Sequence, residues 1–184
     1  MPRALERARG LLVATALLFA GCRDNVGAPI RLVLGPAPGD EVTLSPRASL
    51  AELIEIAPNE SALLLTLTSA ARTCDAPPVA EPDEASVALR LWLPGAAKLV
   101  PGKYPLLDGQ RSSDKPYVVA TVKLHGRRKE LRGGGDLEIS RVDPSPQGTL
   151  EGRLQLEFTG DAEHPATRIS GAFLAHFCRI NRLR

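Results

Sequence analysis

The chain has 184 residues, of which 43% are hydrophobic and 4% aromatic, and its formal net charge is +2 at pH 7. Lys and Arg number 23 against 21 Asp and Glu residues, so no strongly basic surface is predicted. This near balance argues against global attraction to nucleic acid, and we expect no nucleic-acid partner.

A short apolar run lies near the N-terminus, between three arginines and a cysteine. As a helix, the run at positions 11–20 would span only about 15 Å of the roughly 30 Å needed to cross a bilayer. It ends in Leu-Phe-Ala-Gly-Cys at positions 18–22, which resembles the lipobox of bacterial lipoproteins. The pattern therefore indicates a lipoprotein signal peptide at 1–21 that is removed during processing.

This resemblance implies that Cys22 carries a diacylglycerol and usually a third, amide-linked acyl chain such as palmitate. Two acyl chains already suffice for stable anchoring, so membrane lipid is the first expected partner. The domain would then lie in an extracytoplasmic space. In lipoproteins of the enteric type an aspartate after the cysteine favours inner-membrane retention, and Arg23 in that position favours the outer membrane.

Without residues 1–21, the chain has 163 residues and is formally neutral, a length that suits one domain. Residues 22–40 are predicted to be the acylated cysteine and a tether rich in Gly and Pro, within which 30–34 has the composition of a short strand. Residues 41–184 are predicted to form a single β-domain.

Period-2 alternation of apolar and polar residues dominates this domain and indicates strands with one face on a core. Leu150, Leu154 and Leu156, for example, alternate with charged and polar residues. The segments with this alternation are 61–69, 86–93, 117–124, 150–158 and 169–177. Turn residues separate them at short intervals, which predicts an all-β fold of about 7–8 strands, as an antiparallel β-sandwich or a small barrel.

One segment, 49–57, fits two structures. Ser49 and Glu52 match a helical capping box, and Leu50, Leu53 and Ile54 recur at helical spacing. The segment is short, however, and the sequence after it resembles a hairpin turn into the next strand. We favour a strand.

Cys74 and Cys178 remain once Cys22 is lipidated, and an even pair in an exported domain predicts a disulfide. Their Cα atoms should then lie about 4.4–6.8 Å apart. The alternative is a metal site formed by Cys74, His176 and Cys178, but a fourth ligand is not evident. We favour the disulfide and expect no metal.

No catalytic or cofactor motif is evident. The glycines at 133–135 lack the Lys-Ser/Thr of a phosphate-binding loop and are interpreted as a flexible connection between strands. His125, His164 and His176 belong to no hydrolase or zinc motif. The acidic segment 81–84 lacks the ligand spacing of an EF-hand and is interpreted as a solvated loop rather than a calcium site. We expect no catalytic residue, no cofactor and no enzymatic activity.

The basic residues Arg127, Arg128, Lys129 and Arg132 form the strongest local charge feature. At the tip of a hairpin they are a candidate site for phosphates of lipid headgroups, lipopolysaccharide or an acidic partner. The alternative is a solvated turn whose charges keep a sheet edge from pairing with other sheets.

The function predicted from the sequence is that of a lipid-anchored binding or structural module of the cell envelope, with an envelope protein or glycan as partner. One alternative is a calycin-like carrier of a small apolar ligand, which rests on fold analogy alone. A second alternative is an envelope hydrolase.

Overall fold

The computed structural model describes residues 29–33, 41–75, 83–95, 97–106, 114–124, 127–131, 133–158 and 166–181, without the side chains of 124, 127–131 and 133. The regular structure of these ranges consists of strands. They are β1 (Ile30–Val33), β2 (Glu41–Leu44), β3 (Ala48–Ala57), β4 (Glu60–Thr68), β5 (Ser86–Leu93), β6 (Gly102–Pro105), β7 (Tyr117–Leu124), β8 (Arg127–Leu131), β9 (Gly133–Val142), β10 (Thr149–Phe158) and β11 (Thr167–Asn181). The all-β prediction is confirmed.

The strands form one sheet that curves into a nearly closed, barrel-like structure. Its order is β6-β9-β10-β11-β3-β4-β5-β7-β8, and β1 pairs with both β11 and β2. A bridge between Leu106 and Val118 joins β6 to β7 and completes a ring of 8 strands. Only residue 132 separates β8 from β9, so the chain passes directly from the edge of β7 to the edge of β10.

The sheet is mixed and not purely antiparallel as predicted, because β11 and β3 are parallel, with His176 opposite Leu50. The isolated bridge between Leu106 and Val118 is parallel as well. The other pairs between described strands are antiparallel. Neighbouring strands of a meander alternate in direction. The path runs from β3 through β4, β5, β7, then β8 and β9 as one position, and β10 to β11. β8 and β9 run in the same direction, because β8 is antiparallel to β7 and β9 is antiparallel to β10. The path therefore has an odd number of positions, and its first and last strands meet in the same direction.

The inner faces of the long strands are the apolar faces that the alternation predicted. Leu63, Leu65 and Leu67 of β4 are at most 1% exposed, and the predicted inward residues of β5, β10 and β11 are buried in the same way. An interior enclosed by about eight strands is just wide enough for side chains to fill. Phe173 fits there because Gly152 lies opposite it, where a Cβ atom would come within 2.7 Å of the ring.

The ambiguous segment 49–57 lies in β3, so the favoured prediction of a strand is confirmed. Ala51 is on the inner face, opposite Leu65, whereas Leu50 and Ile54 are on the outer face. Because both faces of β3 carry apolar residues, the strand lacks period-2 alternation, and its apolar spacing matches that of a helix.

The folded domain begins earlier than the sequence indicated, because residues 30–33, assigned to the tether, belong to the sheet. Ile30 and Leu32 are 0% exposed, and Leu44 of β2 is 1% exposed. The ribbon of β1 and β2 occupies the part of the β11 edge that β3 leaves unpaired, since β3 reaches β11 only from His176 onward. The segment between Cys22 and β1 is therefore only residues 23–29.

Cys74 and Cys178 form the predicted disulfide, with their Cα atoms 4.8 Å apart. Cys178 lies at the register shift between Phe177 and Arg179, where β11 has one residue more than β3. Because β3 lies between β4 and β11, the segment after β4 crosses β3 to reach Cys178. The bridge therefore ends on an inner strand of the sheet.

We expect that replacing Cys74 and Cys178 together with alanine lowers the free energy of unfolding by roughly 2–4 kcal/mol, because the bridge restrains the unfolded chain. The fold should persist, since the barrel interior contains neither cysteine. Urea unfolding under oxidising conditions measures the loss, and wild-type protein treated with reductant is the control. An unchanged free energy of unfolding in the double variant would contradict the expectation.

Candidate functional site

A groove with a volume of about 540 Å³ lies on the outer face of the barrel, where β9, β10 and the start of β11 meet. Sites for small molecules in proteins typically have volumes of about 300–1,000 Å³. The residues that line the groove are Gly134, Gly135, Asp136, Gln155, Glu157, Phe158, Ala166 and Arg168. Its lining is therefore largely polar.

Two glycines form the floor of the groove. A Cβ atom at Gly134 would meet nothing within 4 Å, so the groove is open at this point because the side chain is missing. Gly135 has a φ of +105°, and the carbonyl oxygen of Gln155 lies where its Cβ would be, so only glycine fits. The interpretation of 133–135 as a flexible connection is wrong, because these residues begin β9 and pair with β10.

The walls carry two carboxylates, an amide and a guanidinium group. Glu157 and Arg168 lie opposite each other in the register and form an ion pair of 3.5 Å. Both side chains are more than half exposed, at 64% and 73%, so the pair contributes little to stability. Asp136 and Gln155 are also register partners, and neither side chain has a hydrogen bond or ion pair within the described ranges. Their polar groups are available to a ligand.

The predicted basic cluster lies in a different place from the hairpin tip we expected. Arg127, Arg128 and Lys129 belong to β8, which pairs with β7 and ends the sheet order as an edge strand. The sequence did not indicate β8 because a short, charged segment has no apolar alternation; the β7 edge provides the partner for its backbone. Arg132 lies outside the described residues. The edge position agrees with the alternative that these charges protect an edge, and anion binding stays a prediction.

The structure also contains a buried charged cluster that the sequence did not predict. Glu84 is 3% exposed and accepts hydrogen bonds from Thr68 Oγ1 at 2.8 Å, Arg72 Nη2 at 2.6 Å and Lys123 Nζ at 2.8 Å. The interpretation of 81–84 as a solvated loop is therefore wrong for Glu84. A loop residue has no periodicity that would mark it as buried, and its partners are distant in sequence.

Burial by itself raises the pKa of the Glu84 carboxyl, but hydrogen bonds from Lys123, Thr68 and Arg72 outweigh it and leave the pKa below its ordinary value of 4.5. Glu84 is therefore ionised at neutral pH. A backbone hydrogen bond also joins the residues that follow Thr68 and Glu84, since the Ser69 N–H donates to the Ala85 carbonyl at 2.9 Å. The cluster is structural: it holds the segment that leads to Cys74.

The other predicted positions carry no assembled site. Cys22, His125 and His164 lie outside the described residues. The metal alternative at Cys74, His176 and Cys178 is wrong, because the two cysteine sulfurs are bonded to each other. Across the described ranges, no three His, Cys, Asp or Glu residues come together to hold a metal ion. The same ranges contain no helix with the length and apolar character needed to span a membrane.

Comparisons with protein-family models, with curated proteins and with solved structures find no match to this chain.

We expect Glu84→Gln to lower the free energy of unfolding at pH 7 by roughly 2–3 kcal/mol, because it leaves Arg72 and Lys123 without their counter-charge. Asp83→Asn, at the exposed neighbouring carboxylate, is the matched control and should have little effect. Urea unfolding of both variants at neutral pH measures the difference.

The stability lost in Glu84→Gln should become smaller as the pH falls. Since folding lowers the pKa of Glu84, its stabilisation is complete above 4.5 and disappears as the pH falls through the lowered pKa of the folded state. Wild type and Glu84→Gln should therefore converge in stability under acid conditions. A constant difference from pH 7 down to about pH 2 would contradict this assignment.

Proposed function

We propose that the protein is a bacterial lipoprotein, anchored through an acylated Cys22, whose barrel-like domain is an extracytoplasmic binding module of the cell envelope. The observation that carries the proposal is the disulfide between Cys74 and Cys178, which is compatible with an extracytoplasmic location. Disulfides persist in oxidising compartments and are rare in the cytosol. The lipobox-like sequence at 18–22 supplies the anchor.

The distance between anchor and domain supports a role close to the membrane. Residues 23–29 connect Cys22 to β1, and an extended chain advances at most about 3.3–3.6 Å per residue. The start of the barrel would then lie within roughly 30 Å of the acylated cysteine. The outer membrane, favoured by Arg23, is part of this proposal.

The positions of the polar and apolar residues favour binding on the outer surface. The groove on β9 and β10 has polar groups without partners in the described ranges, whereas Leu63, Leu91 and Leu154 are buried in the interior. No observation on the described residues favours the calycin-like carrier, which needs space inside the barrel, or the envelope hydrolase.

The anchor makes a direct prediction. Mass spectrometry of protein from its native host should find an acylated peptide that begins at Cys22. Cys22→Ser should move the protein from the membrane fraction to the soluble extract, because the acyl chains supply most of the membrane affinity. Cys178→Ser is the matched control and should leave fractionation unchanged. An unmodified N-terminus elsewhere, or a membrane-bound Cys22→Ser variant, would contradict the proposal.

The basic residues around β8 make a separate prediction. In the Cys22→Ser chain, changing Arg127, Arg128, Lys129 and Arg132 to serine should weaken binding to vesicles that contain anionic lipid. The effect should decrease with salt, since exposed charges are screened over about 8 Å at physiological ionic strength. Removing four exposed basic residues elsewhere, namely Arg47, Lys98, Lys103 and Arg179, is the control of equal charge. Equal binding by the two variants would favour the edge-protection alternative.

A further inference from the structure

We infer that the groove over Gly134 and Gly135 binds a neutral, polyhydroxylated ligand, a short glycan chain, with Asp136 and Gln155 as the principal binding residues. The inference rests on the proposed function only for the origin of that glycan in the surrounding envelope. The recognition itself follows from the groove.

The lining excludes apolar ligands. Phe158 is the only large apolar residue among the described residues of the groove, and it is 5% exposed because its side chain points into the barrel. Ala166 offers one methyl group. A site that bound an apolar ligand would need a mainly hydrophobic lining, with only a few polar groups to orient the ligand.

The charges of the lining favour a neutral ligand. Among the described lining residues, two carboxylates against one guanidinium group repel phosphates and other anions. Within the described part of the groove, a cation would find only the Asp136 carboxylate free, because Glu157 is already paired with Arg168. A single carboxylate at the protein surface binds a cation weakly in water.

Ligand hydroxyl groups fit the hydrogen-bonding groups of the lining. A sugar hydroxyl both donates and accepts, and the groove offers the Asp136 carboxylate as acceptor, the Arg168 guanidinium as donor and the Gln155 amide as both. Asp136 on β9 and Gln155 on β10 lie opposite each other in the register, so one sugar ring can contact both side chains.

The glycine floor lets such a ring lie flat on the sheet. Glycine within a strand commonly marks a place where a ligand or another backbone approaches closely. At Gly135 the neighbouring backbone accounts for the glycine, but at Gly134 no described residue other than its chain neighbours has an atom within 4 Å of the Cβ position. The open space above Gly134 is therefore available to a ligand.

A pair of glycine substitutions tests the inference. Gly134→Val fills the groove, and Gly102→Val places the same side chain at an equally open strand position outside it. The full chain with its disulfide intact is titrated with cellotetraose and chitotetraose by calorimetry. We expect wild type and Gly102→Val to bind at least one tetrasaccharide at millimolar concentration or better, and Gly134→Val to bind it at least about tenfold more weakly.

Substitution of the polar residues identifies the ligand class. Gln155→Ala, at an exposed position that folding does not require, should weaken binding of the same tetrasaccharide. Arg153→Ala on the same strand should leave that binding unchanged. Asp136→Asn, which keeps an acceptor, should bind the tetrasaccharide with a smaller loss than Gly134→Val. Trilysine and inorganic phosphate are the comparison ligands, and neither should bind in the groove.

Three results would overturn the inference: no binding of either tetrasaccharide up to about 10 mM, equal binding by Gly134→Val and Gly102→Val, or a trilysine complex lost in Asp136→Asn. A protein that is acylated at Cys22 but binds no tetrasaccharide overturns this inference and leaves the lipoprotein proposal intact. A protein that binds the tetrasaccharide but is never acylated overturns the lipoprotein proposal and leaves this inference intact.

Discussion

The parallel pairing of β11 with β3 joins the first and last long strands of the meander, and the rest of the structure depends on it. β11 is 15 residues long, so one of its edges pairs with β10 while the other accommodates first β1 and then β3. Without this pairing, the apolar inner faces of the two halves of the meander would face water. Closure therefore converts a set of half-apolar strands into one buried core, which supplies the main stabilising free energy.

Two further interactions, outside this core, hold the segment between β4 and Cys74 that crosses β3. Arg72 binds the buried carboxylate of Glu84, and Cys74 follows it closely in the chain and is bonded to Cys178 on β11. A buried ion cluster is weak evidence of net stability, because desolvation offsets much of the attraction. Its geometric effect is clearer: through Glu84, it ties Arg72 to Thr68 of β4 and Lys123 of β7.

The division between a filled interior and a partly polar exterior decides where function can reside. Large side chains occupy the inner positions of the described strands, so the proposed binding site lies on the outer surface. The groove forms there because the glycines at the start of β9 lie beside long polar side chains of β10 and β11 in the register. The same register pairs Asp136 with Gln155 and Glu157 with Arg168, which gives the groove both donors and acceptors.

The sequence by itself determined the strands that have period-2 alternation and the inner faces of those strands, because this alternation is a local property. It also indicated the pairing of Cys74 with Cys178, since two cysteines remain after Cys22. Only the tertiary structure decided the parallel closure, the burial of Glu84, the strand β8 and the groove over Gly134. Each of these depends on which distant backbone or side chain lies opposite a residue. The local sequence around a charged strand, a loop carboxylate or a glycine does not indicate which distant residue will lie opposite it.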